Sequence, residues 1–242
     1  SSGGGVYVDQ GIIGDETVVR AFGDVKAPLI RGAKVECFGS LYVREIIFQA
    51  DVRAKNIVEM KEGGGIIEGS RVVAGMEISV KSLGSREPDP EHATEIILEN
   101  IRQKELFEIA LIYEQKLTQK SERITELAKV IEVIRILGDR LVTLSQEKRQ
   151  ELALKVKEYN ELKEQVREII RERDKVLQER DRTNKVLRSI VAVNEVHPGV
   201  AVRIDNAKVA INKLYRNVIF YKSGIVIIGD LDAFMKRKRL LD

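Results

Sequence analysis

The sequence is poor in the residues that small secreted domains and most metal sites depend on. Cys37 is the only cysteine in 242 residues. That excludes an internal disulfide framework and a cysteine-built zinc site. Two histidines, His92 and His197, are too few for a histidine-rich metal centre. Tryptophan is absent, and aromatics make up 5% of the chain. No apolar run reaches the roughly 18 residues that a membrane-spanning helix needs. The opening Ser1-Ser2-Gly3-Gly4-Gly5 has neither the basic nor the apolar part of a signal peptide. It predicts a chain that is not exported, and the missing initiator Met points to a trimmed or longer parent. Proline is scarce too, and none falls between Pro90 and Pro198, which leaves room for long helices.

Charge and aliphatic side chains are plentiful. Asp, Glu, Lys and Arg form 33% of the chain, within a composition that is 43% hydrophobic. Long charged helices fit this better than a compact enzyme, and the aliphatics argue against wholesale disorder. The net charge of +3 is uneven. Residues 1–100 carry 11 basic and 16 acidic groups, net −5. Residues 101–190 and 191–242 each carry a net +4.

Residues 1–99 repeat imperfectly. The segments beginning at Val19, Val35, Val52 and Val72 each place a small residue two positions on, at Ala21, Cys37, Ala54 and Ala74. A Gly or Asn turn then follows at Gly23, Gly39, Asn56 and Gly75, taken here as needing positive φ. Short alternating strands on a near-fixed step predict a β-solenoid, one coil per repeat, with the small residue at an interior corner. A sandwich or barrel would carry longer strands and less uniform turns.

Residues 100–190 change period. A four-then-three step runs through Leu106, Ala110, Tyr113, Leu117, Lys120, Ile124, Leu127, Ile131, Ile134, Gly138 and Leu141. A second seam is read through Leu152, Val156, Tyr159, Lys163, Val166, Ile170, Arg173, Leu177, Arg180, Asn184, Leu187 and Val191. Between them, Gly138 can end a helix and Ser145 can cap the next. Two near-equal arms with a hinge near 138–146 predict an antiparallel coiled-coil hairpin. A single long helix dimerising in parallel is the alternative. Lys163, Arg173, Arg180 and Asn184 make the distal seam polar, so they form a candidate interaction surface or simply a solvated stretch.

Residues 191–234 return to a strand pattern, opened by a Pro198-Gly199 turn. Such strands would complete or cap the solenoid, whose open end exposes unpaired edges. Residues 235–242 form a basic tail, read as a disordered solubilising end rather than a nucleic-acid or lipid contact. The predicted fold class is therefore α+β. It is a single-stranded β-solenoid with an inserted antiparallel coiled-coil hairpin and C-terminal strands packing back on it.

No catalytic constellation assembles. Gly63-Gly64-Gly65 lacks the spacing of a nucleotide loop and reads as a flexible coil connection. His92 and His197 read as surface histidines, and Cys37 as a buried stand-in for Ala. The acidic groups Asp9, Asp15, Glu16, Asp24, Glu45 and Asp51 read as solvated solenoid charges. The chain is expected to be no enzyme and to need no cofactor or metal.

Three stretches carry a resemblance. Gly69-Ser70-Arg71-Val72-Val73-Ala74-Gly75-Met76-Glu77-Ile78-Ser79-Val80-Lys81-Ser82-Leu83-Gly84-Ser85 leads to Thr94-Glu95-Ile96. Leu144-Ser145-Gln146-Glu147-Lys148 forms the hinge, and Val196-His197-Pro198-Gly199-Val200-Ala201-Val202-Arg203-Ile204 forms the return strand. In this order they resemble the flagellar assembly protein A family of bacteria, whose solenoid is compared with that of the bactofilins. Ser79 replaces the usual Ala and Asn56 the usual Gly, and the sequence that usually precedes the solenoid is missing. The resemblance implies a non-enzymatic structural or adaptor protein of flagellar assembly or polar positioning. Its partners would be other proteins of the flagellar or polar machinery, with homo-oligomers allowed, and neither nucleic acid nor a transmembrane segment is expected. It implies a cytoplasmic location, at the cell pole or peripheral to the membrane. A bactofilin-like polymerising scaffold is the alternative, with a carbohydrate-active β-helix enzyme behind it.

Overall fold

The structure is a computed structural model that describes residues 4–89, 91–184 and 186–239. Ser1–Gly3, Pro90, Lys185 and the last three residues of the basic tail lie outside them. The chain divides into two compact units. One is Ser1–Arg102 with Val186–Asp242, and the other is Gln103–Lys185.

The first unit is a β-solenoid of about five turns. One side is a sheet of short strands: β3 (Val18–Ala21), β5 (Lys34–Cys37), β7 (Asp51–Ala54), β10 (Arg71–Ala74), β12 (Glu95–Leu98) and β14 (Ala201–Ile204). They pair in parallel in that order. The other side is longer and bent. It holds β1 (Val6–Tyr7), β2 (Ile12–Ile13), β4 (Val25–Arg31), β6 (Leu41–Phe48), β8 (Ile57–Glu59), β9 (Ile66–Glu68), β11 (Glu77–Leu83) and β13 (Ser189–Val196). Register shifts at Ala27/Leu29 in β4 and Val80/Ser82 in β11 mark the bend. Each bulge turns the strand so that it can wrap the core.

The small-residue column of the sequence is a column in space. Ala21 pairs with Cys37, Cys37 with Ala54 and Ala54 with Ala74. All four are buried. The column then widens to Leu98 and Ile204. Opposite it, Leu41, Ile47, Ile67, Ile78 and Leu83 fill the interior and are fully buried. Burying each such side chain contributes about 1.5–3 kcal/mol.

The turn residues Gly23, Gly39, Asn56 and Gly75 also stack. Gly39 N–H donates to the Gly23 carbonyl, Asn56 N–H to Gly39, and Gly75 N–H to Asn56, at 3.1–3.2 Å. None of the four has the positive φ that the sequence reading assigned them. Small size is needed for a different reason. A Cβ on Gly75 would overlap the Lys55 carbonyl, and one on Gly39 would overlap Asp24 and the Gly23 backbone. The left-handed positions lie at the other corner, at Gly14, Gly32, Gln49, Gly69 and Gly84.

After β14 the chain reverses. β15 (Ala207–Ala210), β16 (Tyr215–Ser223) and β17 (Ile225–Asp230) pair antiparallel, β15 on β14 and β16–β17 on β13. They close this end of the solenoid. Gly199, at φ 90°, turns the chain into β14, and its N–H donates to the Ile211 carbonyl at 2.8 Å. The Met235–Arg239 part of the tail is not disordered: it belongs to a C-terminal helix, Leu231–Arg239. Asp230 caps it by accepting from Ala233 N–H at 2.8 Å, and Asn217 donates to Asp232 at 2.8 Å.

The second unit is built on two helices. α1 (Ile101–Leu137) is followed by a 3-10 turn (Gly138–Thr143) and α2 (Gln146–Asn184); the helix Leu231–Arg239 is α3. Gly138, at φ 47°, ends α1 in the left-handed conformation. Ser145 caps α2, its Oγ accepting from Lys148 N–H at 3.4 Å. The helices run antiparallel, because Glu114 meets Arg173, Lys120 meets Gln165 and Arg123 meets Glu158. The predicted fold class is therefore the one found: a solenoid, an inserted helical hairpin and returning strands.

Candidate interaction surface

Three surfaces of this chain can do something beyond folding: the root of the hairpin, the hairpin itself, and the outer faces of the solenoid.

At the root, Asp205 ties together the point where the chain leaves the solenoid and the point where it returns. Its carboxylate accepts from the Asn100 N–H at 3.3 Å on the way out. It accepts two bonds from Arg188, at 2.7 and 2.6 Å, on the way back. Lys222 lies 3.5 Å away. Burial alone would raise the Asp205 pKa, but Arg188, the Asn100 N–H and Lys222 outweigh it and hold the carboxyl below its usual range. Beside it, Arg203 bonds Glu99 at 2.9 Å and Arg53 lies 3.5 Å from the same carboxylate. Sequence reasoning missed this knot. Asn100 and Asp205 are 105 residues apart, and the members follow no repeat.

In the hairpin, the α1 seam is where the spacing put it. Leu106, Ala110, Leu117 and Leu127 are buried, and Tyr113, Lys120, Ile124, Ile131 and Ile134 are half-buried. The α2 seam is displaced by one residue at two places. Lys163 and Ile170 are exposed, while Leu162 and Ile169 turn inward, with Val176 half-buried beside Leu177. A step of three from Tyr159 reaches the inward-facing Leu162, whereas the step of four reaches the exposed Lys163. Of the four candidate residues, Lys163 is exposed with its ammonium 5.3 Å from the Tyr159 ring. Arg173 bonds Glu114 at 3.1 Å on α1 and Asp174 at 2.8 Å. Arg180 is half-buried, 3.7 Å from Asp181, and Asn184 is exposed. Large apolar side chains also stand outside the seam: Phe107, Leu111 and Ile112 near the start of α1, and Val133, Ile136 and Val142 near the turn.

The outer face of the short-strand sheet is a charge ladder. Lys34, Asp51, Arg71 and Glu95 lie in one column at 3.8, 3.4 and 3.9 Å. Arg20 and Glu36 form a second at 3.6 Å. In a parallel solenoid, equivalent positions stack, so alternating signs avoid like-charge repulsion. Exposed pairs of this kind add little stability and leave the face nearly neutral. Other carboxylates named from the sequence are also structural: Asp24 accepts from Ser40 N–H at 2.7 Å, and Glu45 from Gly64 N–H at 2.9 Å. Gly63-Gly64-Gly65 is accordingly a fixed bulge rather than a loose connection, with Lys81 donating to the Gly63 carbonyl at 2.5 Å.

On the opposite face, Lys26 lies between the rings of Tyr7 and Tyr42, 5.5 and 5.2 Å from their centres. They line a shallow groove of about 420 Å³.

The model of the flagellar assembly protein A β-solenoid domain family matches residues 1–225. The chain belongs to that family. No curated protein and no solved structure matches it. The match spans the solenoid, the hairpin and most of the capping strands, and ends at the first residue of β17.

The remaining sequence-named residues have structural places. Cys37 is buried, and its Sγ lies 3.8 Å from the Gly39 carbonyl. Burial, with Asp24 nearby, pushes the thiol pKa up to about 11. A thiol held neutral in this way is a poor nucleophile. His92 is exposed and bonds Asp89 at 2.7 Å. His197 is not a surface residue: it is buried, 3.4 Å from Glu195, with its N–H on the Leu83 carbonyl. It occupies the stacking position above Gly84, where the coil closes over it. Among the described residues no group of three or more His, Cys, Asp or Glu could hold a metal ion. No helix among them is long and apolar enough to cross a membrane.

Proposed function

We propose that this chain is a non-enzymatic adaptor in flagellar assembly. The solenoid serves as a rigid base, and the helical hairpin as the arm that engages partner proteins. Membership of the flagellar assembly protein A family supports the process. One observation supports the arm: Ile136 and Val142, near the helical turn, are 76% and 74% exposed, and neither belongs to the inter-helix seam. Exposed aliphatics close together in sequence are what a partner helix or groove takes up. Lys163 and Asn184, exposed on α2, supply polar positions on the same hairpin. A bactofilin-like polymer would stack solenoids end to end, and the antiparallel strands β15–β17 weigh against that at their end.

The test is a count and placement of flagella in cells lacking the gene. Loss or misplacement, restored by the full chain but not by one carrying Ile136→Ser with Val142→Ser, is the expected result. Normal flagella in the deletion strain overturn the assembly role. Full rescue by the double variant overturns the role given to the arm.

A further inference from the structure

We propose that α3 and the turn beside it form a docking surface for an anionic lipid bilayer. This surface stands apart from the assembly reading. It lies almost wholly beyond the family match, which stops at residue 225.

Asp230 ends β17 opposite Val218, and α3 then folds back along β16, with Phe234 5.4 Å from Tyr221. The helix therefore runs from its cap toward the Ser223–Ile225 turn. Its second half is Met235-Lys236-Arg237-Lys238-Arg239. Lys236 and Arg237 are exposed, and among the described residues neither has a carboxylate partner. Two aliphatic side chains accompany the cations: Met235 is 42% exposed, and Ile225, in the turn that the helix approaches, is 72% exposed.

That combination is the chemistry of a bilayer surface. Clustered Lys and Arg are drawn to acidic headgroups, and adjacent aliphatics enter the headgroup boundary. Nucleic acid would be served by aromatic rings offered for stacking, whereas Phe234 is turned to Tyr221. The two cations of β16 are already committed. Arg216 bonds Glu195 at 2.9 Å, and Lys222 bonds Asn206 at 2.7 Å. α3 thus carries uncompensated positive charge on a cap held in place by its Asp230 and Phe234 contacts. Four cations without an acylated or inserted anchor give reversible, salt-sensitive binding.

The test is co-sedimentation of the full chain with phosphatidylcholine vesicles, with and without phosphatidylglycerol. The protein should pellet with the anionic vesicles at low salt and be released by high salt. Replacing Lys236, Arg237, Lys238 and Arg239 by Gln should weaken binding about tenfold or more. Met235→Ser with Ile225→Ser should weaken it about fivefold at unchanged charge. Met235, Lys236, Arg237 and Ile225 are exposed, and an unchanged circular-dichroism spectrum confirms that each variant is folded. Equal pelleting with neutral vesicles overturns the proposal, as does wild-type binding by the charge variant. Duplex DNA that binds more tightly than the vesicles, and is indifferent to the Met235/Ile225 pair, also overturns it and assigns the surface to nucleic acid.

Discussion

The solenoid and the hairpin bury their side chains very differently. In the solenoid every coil sends residues to full burial, from Val25 and Ile30 through Ile47 and Ile78 to Ile204 and Phe220. In the hairpin, α1 buries four side chains over 37 residues, and α2 buries none over 39. A coil packs against coils above and below, whereas each helix of the hairpin packs along its seam against one other helix. The solenoid therefore carries its own stability. The hairpin leaves Phe107, Leu111, Val133, Ile136 and Val142 exposed.

The largest effect that would break this contrast is steric. Gly75→Val places a side chain into the Lys55 carbonyl of the preceding coil. The expected cost is about 4 kcal/mol or more, above the usual range for overpacking, because backbone rather than a side chain must move. Chemical denaturation read by far-UV circular dichroism checks it; a loss under about 1 kcal/mol would mean the coils are looser than their hydrogen-bond ladder implies.

A paired comparison sharpens the difference. Ile47→Ala in the solenoid should cost about 3–4 kcal/mol and lower the whole unit's melting point. Leu127→Ala, at the most buried point of the hairpin beyond Leu106, should cost about 2–3 kcal/mol, and hydrogen exchange should place that loss within 103–185. If Leu127→Ala instead raised exchange throughout the solenoid, the two units would be one cooperative block.

The repeat was open to sequence reading because stacking in a parallel solenoid turns sequence spacing into spatial contact. Ala21, Cys37, Ala54 and Ala74 align by eye and pair by hydrogen bond. The α1 seam was readable for a similar reason, since its period holds for the whole helix. The α2 seam was not, because Leu162 and Lys163, then Ile169 and Ile170, offer two phases, and only the facing helix chooses between them. The stacked glycines were found, but their reason was misread: a turn glycine can answer to torsion or to space, and no single sequence separates these. The positive-φ corner left a trace at Gly14, Gly32, Gly69 and Gly84, broken by Gln49. Asp205 left none, because a contact between Asn100, Arg188 and residue 205 depends on an insertion returning to its start.

That contact supplies the next prediction. Asp205→Ala should cost about 2 kcal/mol, since Arg188 would lose two charged hydrogen bonds in a half-buried setting. The folded-state pKa of Asp205 is depressed, so its contribution is fully present above the unfolded value of about 3.9. It is lost as pH falls through the lower folded value. The wild type and Asp205→Ala should therefore differ in stability at neutral pH and converge in acid. A difference that stays constant down to pH 2 would assign the loss to packing and remove the ionic clamp from the account.

The smallest effect separates contact from stability. Arg123 bridges the helices to Glu158 at 2.8 Å and also bonds Glu126 at 2.9 Å, and both pairs are open to solvent. Exposed ion pairs are screened by salt and offset by side-chain ordering. Arg123→Ala should therefore lower the hairpin's melting point only slightly, and less still in high salt. Its companion, Glu158→Arg, places like charges where the helices meet and should do more damage than the deletion. If it does, these pairs fix which residues face each other, while the apolar seam holds the helices together. If both variants melt like the wild type even at low salt, the charges set neither register nor stability, and the register rests on Leu106, Leu117, Leu127 and the inward-facing Leu162 and Ile169 alone.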